Sequence, residues 1–279
     1  MTLALIRGGG DIASGVALRL HHVGFDVVIL ELEQPLAVRR TVSFAEAVYE
    51  GSHTIEGVTA RLAAPDGYTN IHEAGEIPIL IDPKANILAS SSLIDPQSTI
   101  VIDARLIKQT PSPLPNRPAL HIGLGPGFHA GGNCHAVIET RRSHTLGRLY
   151  WTGSAQADSG QPEGDPRRVL RAPADGVLVS HVEIGAHVDE GQLITEIRGP
   201  EVEQTSIVNR KSEIVTSPFM GVLRGLIHNN LFVTKDMKIG DVDPSDDPSR
   251  CFLVSDKALA VAGGVLEAIL TKPEFRRDT

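Results

Sequence analysis

Short apolar runs broken by glycine-rich turns set the pattern of this chain from its first residues. Leu3-Ala-Leu-Ile-Arg7 is a brief strand running into Gly8-Gly9-Gly10. From Ile12 to Leu20 the apolar residues fall at 12, 13, 16, 17 and 20, the spacing of one helix face. Gly24 is a natural stop for that helix, and Asp26 to Leu30 reads as a second strand ending at Glu31. Strand, glycine turn, helix and strand in succession make a βαβ unit and predict a parallel sheet. Further apolar runs without alternation, at 77–82, 98–103, 119–123 and 136–139, fit strands buried on both faces. Four strands end in an acid (Glu31, Asp82, Asp103 and Glu139), and Arg39, Arg40, Arg105, Arg141 and Arg142 follow closely. In a doubly wound sheet the ligand crevice lies outside the carboxyl ends of the strands.

The second half follows a different rhythm. Residues 153–166 are small, polar and turn-rich, as in a linker. Beyond them the segment Ala172–Ile197, shifted by 45 positions, falls on Ser217–Val242 without a gap. Pro173 meets Pro218, Gly176 meets Gly221, and Val177-Leu178 meets Val222-Leu223. Each copy reads as three short strands with turns, too small to bury a face alone. Ala-Pro-Ala-Asp-Gly-Val-Leu (172–178) and Gly-Ala-His-Val-Asp-Glu-Gly-Gln-Leu-Ile (185–194) resemble the lipoyl/biotinyl-carrier domain, a barrel-sandwich hybrid. The resemblance places the modified lysine eight residues before the second copy's proline, where this chain has Arg210, with Lys211 one place off. An arginine cannot form the amide link, so an unmodified module is expected, with neither lipoyl nor biotin. Ser255–Leu270 reads as a capped helix followed by Pro273. Its interior Gly263-Gly264 costs up to about 1 kcal/mol per residue unless the helix packs closely against backbone.

The expected fold class is therefore α/β. It comprises a Rossmann-like parallel sheet domain (1–152), a linker (153–166), a small all-β barrel-sandwich hybrid (167–244), and a C-terminal helix packing back on the first domain (245–279). A 279-residue chain suits about two domains. Its aromatic share of 4% favours Val-, Ile- and Gly-rich sheets over a helical bundle. The net charge of −8 argues against a bulk nucleic-acid or acidic-membrane binder. Two cysteines, Cys134 and Cys251, cannot make a disulfide framework. With neither a signal-peptide layout nor a membrane-length apolar run, a cytoplasmic protein is expected, and a homo-oligomer remains open.

Gly8-x-Gly10-x-x-Ala13 follows a strand, opens a helix, and has Glu31 at the end of the next strand. That is the context of a dinucleotide fingerprint: glycines for a tight turn, amides for a pyrophosphate, an acid for a ribose hydroxyl. Arg7, Gly8, Gly9, Gly10, Asp11, Ser14 and Glu31 are accordingly candidate cofactor-binding residues. Asp11 stands where a phosphate would sit and equally suits a structural cap. Glu31 disfavours a 2′-phosphate while Arg39 and Arg40 favour one, so NAD and NADP both stay open. A second glycine-rich loop, 121–135, adds Gly123, Gly125 and Gly127, with Glu139 just beyond. This loop also carries His129, Cys134 and His135, which with His144 are the candidate catalytic residues. Paired-cysteine zinc spacing is absent, so no metal is expected. A thiol beside a cation is a candidate nucleophile, although a small residue packed at a strand edge is the commoner role.

Taken together, 7–17 (Arg-Gly-Gly-Gly-Asp-Ile-Ala-Ser-Gly-Val-Ala), 31–49, 123–128, 137–141, 144–148, 237–244 and 255–260 form a set. This set resembles the YqeB-type accessory proteins of the selenium-dependent molybdenum hydroxylase system, related to maturation factors of xanthine dehydrogenase-like enzymes. The resemblance implies a maturation role for a molybdenum hydroxylase client, with the molybdenum cofactor or its nucleotide end held in the crevice. An NAD(P)-dependent oxidoreductase and a ligand-free docking module are the alternatives.

Overall fold

A nine-stranded sheet carries the first of two units in this computed structural model, which describes residues 2–64, 67–90, 94–160, 164–199 and 212–275. That unit comprises Met1–Pro35, Val42–Gly160 and Val254–Thr279; the second comprises Leu36–Thr41 and Gln161–Leu253. In the first, β1 (Leu3–Arg7) leads through α1 (Asp11–His22) to β2 (Asp26–Glu31). Then come α2 (Ala47–Glu50), β3 (Ser52–Ile55), β4 (Val58–Leu62), α3 (Tyr68–Glu73) and β5 (Ile77–Ile81). β6 (Ile100–Asp103), β7 (Leu120–Leu124), β8 (His129–Ala130), β9 (Ala136–Ile138), β10 (Leu149–Tyr150) and β11 (Gly153–Ser154) follow. The sheet order is β10-β9-β7-β6-β1-β2-β5-β4-β3, while β8 and β11 pair separately. The strands from β9 to β4 in that order run parallel, and β10 and β3 join the two edges antiparallel.

The expectation of a Rossmann-like parallel sheet is thus corrected: the sheet is mixed. Of its parallel crossovers, the one from β1 to β2 holds a helix of more than two turns among the described residues. For the crossover between β6 and β7 the physical reason is visible in Pro111, Pro113, Pro115 and Pro118. Proline lacks the N–H a helix requires and its ring clashes with the preceding turn. This crossover is therefore a loop, and it walls a cleft described below.

β1, β2, β5 and β6 are buried on both faces. Ala4, Ile6, Val27, Ile29 and Ile102 face a core completed by α1 and by α4 (Asp256–Leu270), while Leu5, Val28, Leu80 and Val101 face Tyr68, Ile87 and Leu88. Ser255 caps α4, its Oγ accepting from Ala258 N at 3.1 Å. The two helices approach so closely that a Cβ on Gly15 would lie 2.7 Å from Ala258 Cβ. Gly264 meets the Gly147 carbonyl in the same way, whereas Gly263 faces open space.

The second unit holds β12 (Val169–Arg171), β13 (Gly176–Ser180), β14 (His187–Val188), β15 (Leu193–Arg198), β16 (Ser212–Thr216), β17 (Gly221–Leu226), β18 (Phe232–Val233) and β19 (Lys238–Asp243). Here too the expectation is corrected: in place of one barrel there are two four-stranded antiparallel sheets, β12-β19-β17-β14 and β16-β15-β13-β18. The middle strand of each repeat pairs with the first strand of the other, β14 with β17 and β18 with β13. Arg168, Arg224 and Lys238 surround the buried Asp241 on the first of these sheets. Arg210 and Lys211, the carrier position, lie outside the described residues.

Candidate functional site

The first glycine turn is closed by the chain itself. Gly8 N donates to Leu30 O at 2.8 Å, and Gly9 N donates to Glu31 Oε2 at 2.5 Å. Glu31 Oε1 accepts from Leu32 N, so this acid fastens the turn, and burial raises its pKa against those two N–H bonds. Ser14 Oγ donates to Gly9 O and accepts from Phe44 N, while Ala45 N donates to Gly9 O. A Cβ on Gly9 would lie 2.9 Å from Ala45 N. The glycine there admits a neighbouring segment to close backbone contact. Asp11 begins α1 with partial exposure, and nothing lies within 4 Å of a Cβ placed on Gly10. Arg7 is buried against Asp103 at 3.0 Å, and Arg105 grips the same carboxylate at 2.6 Å. Arg39 and Arg40 belong to the second unit, where they donate to the carbonyls of Arg250, Leu253 and Leu226.

The second glycine loop is packed as tightly. A Cβ on Gly123 would overlap the Phe128 ring, and one on Gly127 would lie 2.5 Å from Ile107 O. Gly125 N donates to Ile138 O and Gly127 N to Ile107 O, both at 3.0 Å. Glu139 is fully buried and accepts the N–H groups of Thr140, Arg141 and Gln156, each at 2.8 Å. His129 is exposed and reaches Ser154 Oγ at 3.0 Å; His144 sits on an exposed loop.

Cys134 and His135 instead line a cleft of about 750 Å³, bounded by the proline-rich loop 110–118, by 131–135, and by His121 and Trp151. Cys134 packs with Phe128, Ala130, Val137 and Ala155, and burial pushes its thiol up to about 11. It is a thiol at neutral pH. His121, 7% exposed, stacks edge-on against Phe128, and its Nε2 has no hydrogen-bond partner. Burial drives its pKa down to about 4.

The backbone N–H of His121 donates to His135 Nδ1 at 2.8 Å. A nitrogen that accepts carries no proton, so the neutral His135 ring bears its hydrogen on Nε2. Burial, with Arg117 and Lys272 nearby, lowers the pKa of His135 and keeps it neutral. Arg117 Nη2 stands 3.3 Å from that Nε2. Guanidinium groups only donate, so two donors face one another across this contact. His135 is therefore suited to hold an anion and unsuited to act as a base. Arg117 and Lys272 make no ion pair with a carboxylate among the described residues. Arg117, His121 and Trp151 were not among the sequence candidates. The proline run around Arg117 was the available signal, since it forbids a crossover helix.

No family model matches the chain. It is 44% identical over 273 residues to the uncharacterized protein YqeB of Escherichia coli (strain K12), covering 96% of this chain and 47% of that protein. The chain thus spans about half the length of this curated relative. Among solved structures, an aspartoacylase family protein from Mesorhizobium loti is 14% identical, covers 86% of this chain and 84% of its own, and has a TM-score of 0.29. A succinylglutamate desuccinylase from Silicibacter sp. TM1040 is 12% identical, with coverage of 86% and 84% and a TM-score of 0.27. Scores this low carry no argument about activity.

These findings correct the functional expectation. The relative's name assigns no role in a selenium-dependent molybdenum hydroxylase system. In the structure, the amides of Gly8 and Gly9, expected to cradle the cofactor, are taken by Leu30 and Glu31. No helix among the described residues is long and apolar enough to cross a membrane.

Proposed function

We propose that this chain binds a small carboxylate-bearing molecule in the cleft at Cys134, with the acid head held between Arg117 and His135. The observation that carries this reading is the donor-to-donor approach of Arg117 Nη2 and His135 Nε2 at 3.3 Å. With Nδ1 committed to the His121 N–H, both groups present hydrogens to the same space, where the two oxygens of a carboxylate accept one bond from each. The volume of about 750 Å³ suits a small organic ligand. Pro111, Pro113, Pro118 and Leu114 supply an apolar wall for its body. The unbridged Cys134 and Cys251 support a reducing, cytoplasmic setting.

Calorimetric titration with short monocarboxylates tests the reading. Wild-type protein gives saturable binding, and Arg117→Gln weakens it about 10- to 100-fold, the range of a lost charge-assisted hydrogen bond. Unchanged affinity in that variant would sink the assignment.

A further inference from the structure

We infer that the molecule this cleft accepts is a planar, conjugated monoacid such as an aromatic carboxylate, an inference that rests on the anion site proposed above. Trp151, the sole tryptophan of the chain, lines the cleft. Its indole also packs against the main core and carries the Lys272 ammonium 4.9 Å from its ring centroid. Lys272 is not among the residues that line the cleft, whereas Trp151 is. A ring anchored on core and cation is a fixed flat platform, and such a platform favours flat partners in offset or edge-on contact. Pro111, Pro113 and Pro118 extend the apolar lining, and their locked φ angles keep that wall stiff.

Charge sets the head count. Arg117 is the one permanently charged residue among those lining the cleft, and His121 and His135 are neutral there. One negative charge on the ligand pairs with Arg117, while Lys272 stands over the Trp151 ring outside the lining.

The test compares benzoate, cyclohexanecarboxylate and acetate by calorimetry on the whole chain. The first two share charge and approximate size and differ in planarity. Benzoate is expected to bind about three- to tenfold tighter than cyclohexanecarboxylate. Trp151→Phe keeps that preference, and Trp151→Leu abolishes it while both acids still bind through Arg117. Equal or tighter binding of cyclohexanecarboxylate to the wild type overturns the inference and leaves the anion site standing. If none of the three gives saturable heat, the anion site falls and the inference with it. The wild-type comparison decides even if Trp151→Leu does not fold.

Discussion

Two adjacent glycines in α4 are expected to respond to the same substitution with opposite signs. Gly263 is exposed and a Cβ there meets nothing within 4 Å, so Gly263→Ala removes backbone freedom from the unfolded chain without a clash. The expected gain is about 0.5–1 kcal/mol. Gly264→Ala carries the same intrinsic gain, but its Cβ would overlap the Gly147 carbonyl oxygen and lie 2.9 Å from Ile138 Cγ2. Gly147 cannot retreat freely: its φ is +76° and its N–H donates to Glu139 O at 2.9 Å. Overpacking of this kind costs about 1–3 kcal/mol or somewhat more against a backbone obstacle, so the net loss is about 1–2 kcal/mol. The two variants should then differ by about 1.5–3 kcal/mol, or about 3–12 °C in Tm. Urea denaturation followed by circular dichroism reads this difference. A shift of the same sign and size in both proteins would refute the claim that backbone contact at Gly264 sets the helix position.

Other outcomes follow from the buried charges. Asp103→Asn leaves Arg7 buried without its counter-charge and should cost about 3–5 kcal/mol, read by the same denaturation. His121 has its pKa depressed to about 4, so its contribution is complete above the unfolded value near 6.5 and is lost as pH falls towards 4. That loss is on the order of 3 kcal/mol, and His121→Phe should flatten the stability profile across this window. Glu31 runs the other way: its raised pKa means stability declines as pH climbs from the ordinary glutamate value through the folded one, and Glu31→Gln should remove that decline. Cys134, at about 11 against an ordinary 9, should be alkylated by iodoacetamide about 100-fold more slowly at pH 7.5 than a free cysteine, measured by peptide mass spectrometry.

Local order was legible in the sequence wherever a period or a breaker encoded it. The apolar spacing from Ile12 to Leu20 marks α1, and Ser255 marks the start of α4. The 45-residue offset brings out the corresponding strands β13 and β17. Glycine was ambiguous because it serves two opposite ends. It exposes amides to a ligand, or it lets another group come close, and Gly9 with Ala45 and Gly123 with Phe128 take the second course. Sequence spacing is the same in either case. The cleft escaped for a different reason. Arg117 stands in a loop without periodicity, and the tautomer of His135 depends on an N–H donated by His121, fourteen positions earlier, across neighbouring strands. The mixed sheet was hidden in the same way, since edge pairings such as β9 with β10 join segments whose spacing says nothing about direction.

The exchange of short strands in the second unit bears on how its repeat came to be useful. A lone copy would bring together its own first and third strands, as β13 joins β15 and β17 joins β19, but its first strand would keep an open edge and its middle strand would have no partner. An open edge beside an unpaired strand of matching register recruits a second identical copy. Each copy in isolation is thus half of a symmetric pair, and the tandem arrangement secures within one chain what two separate chains would otherwise have to find by collision.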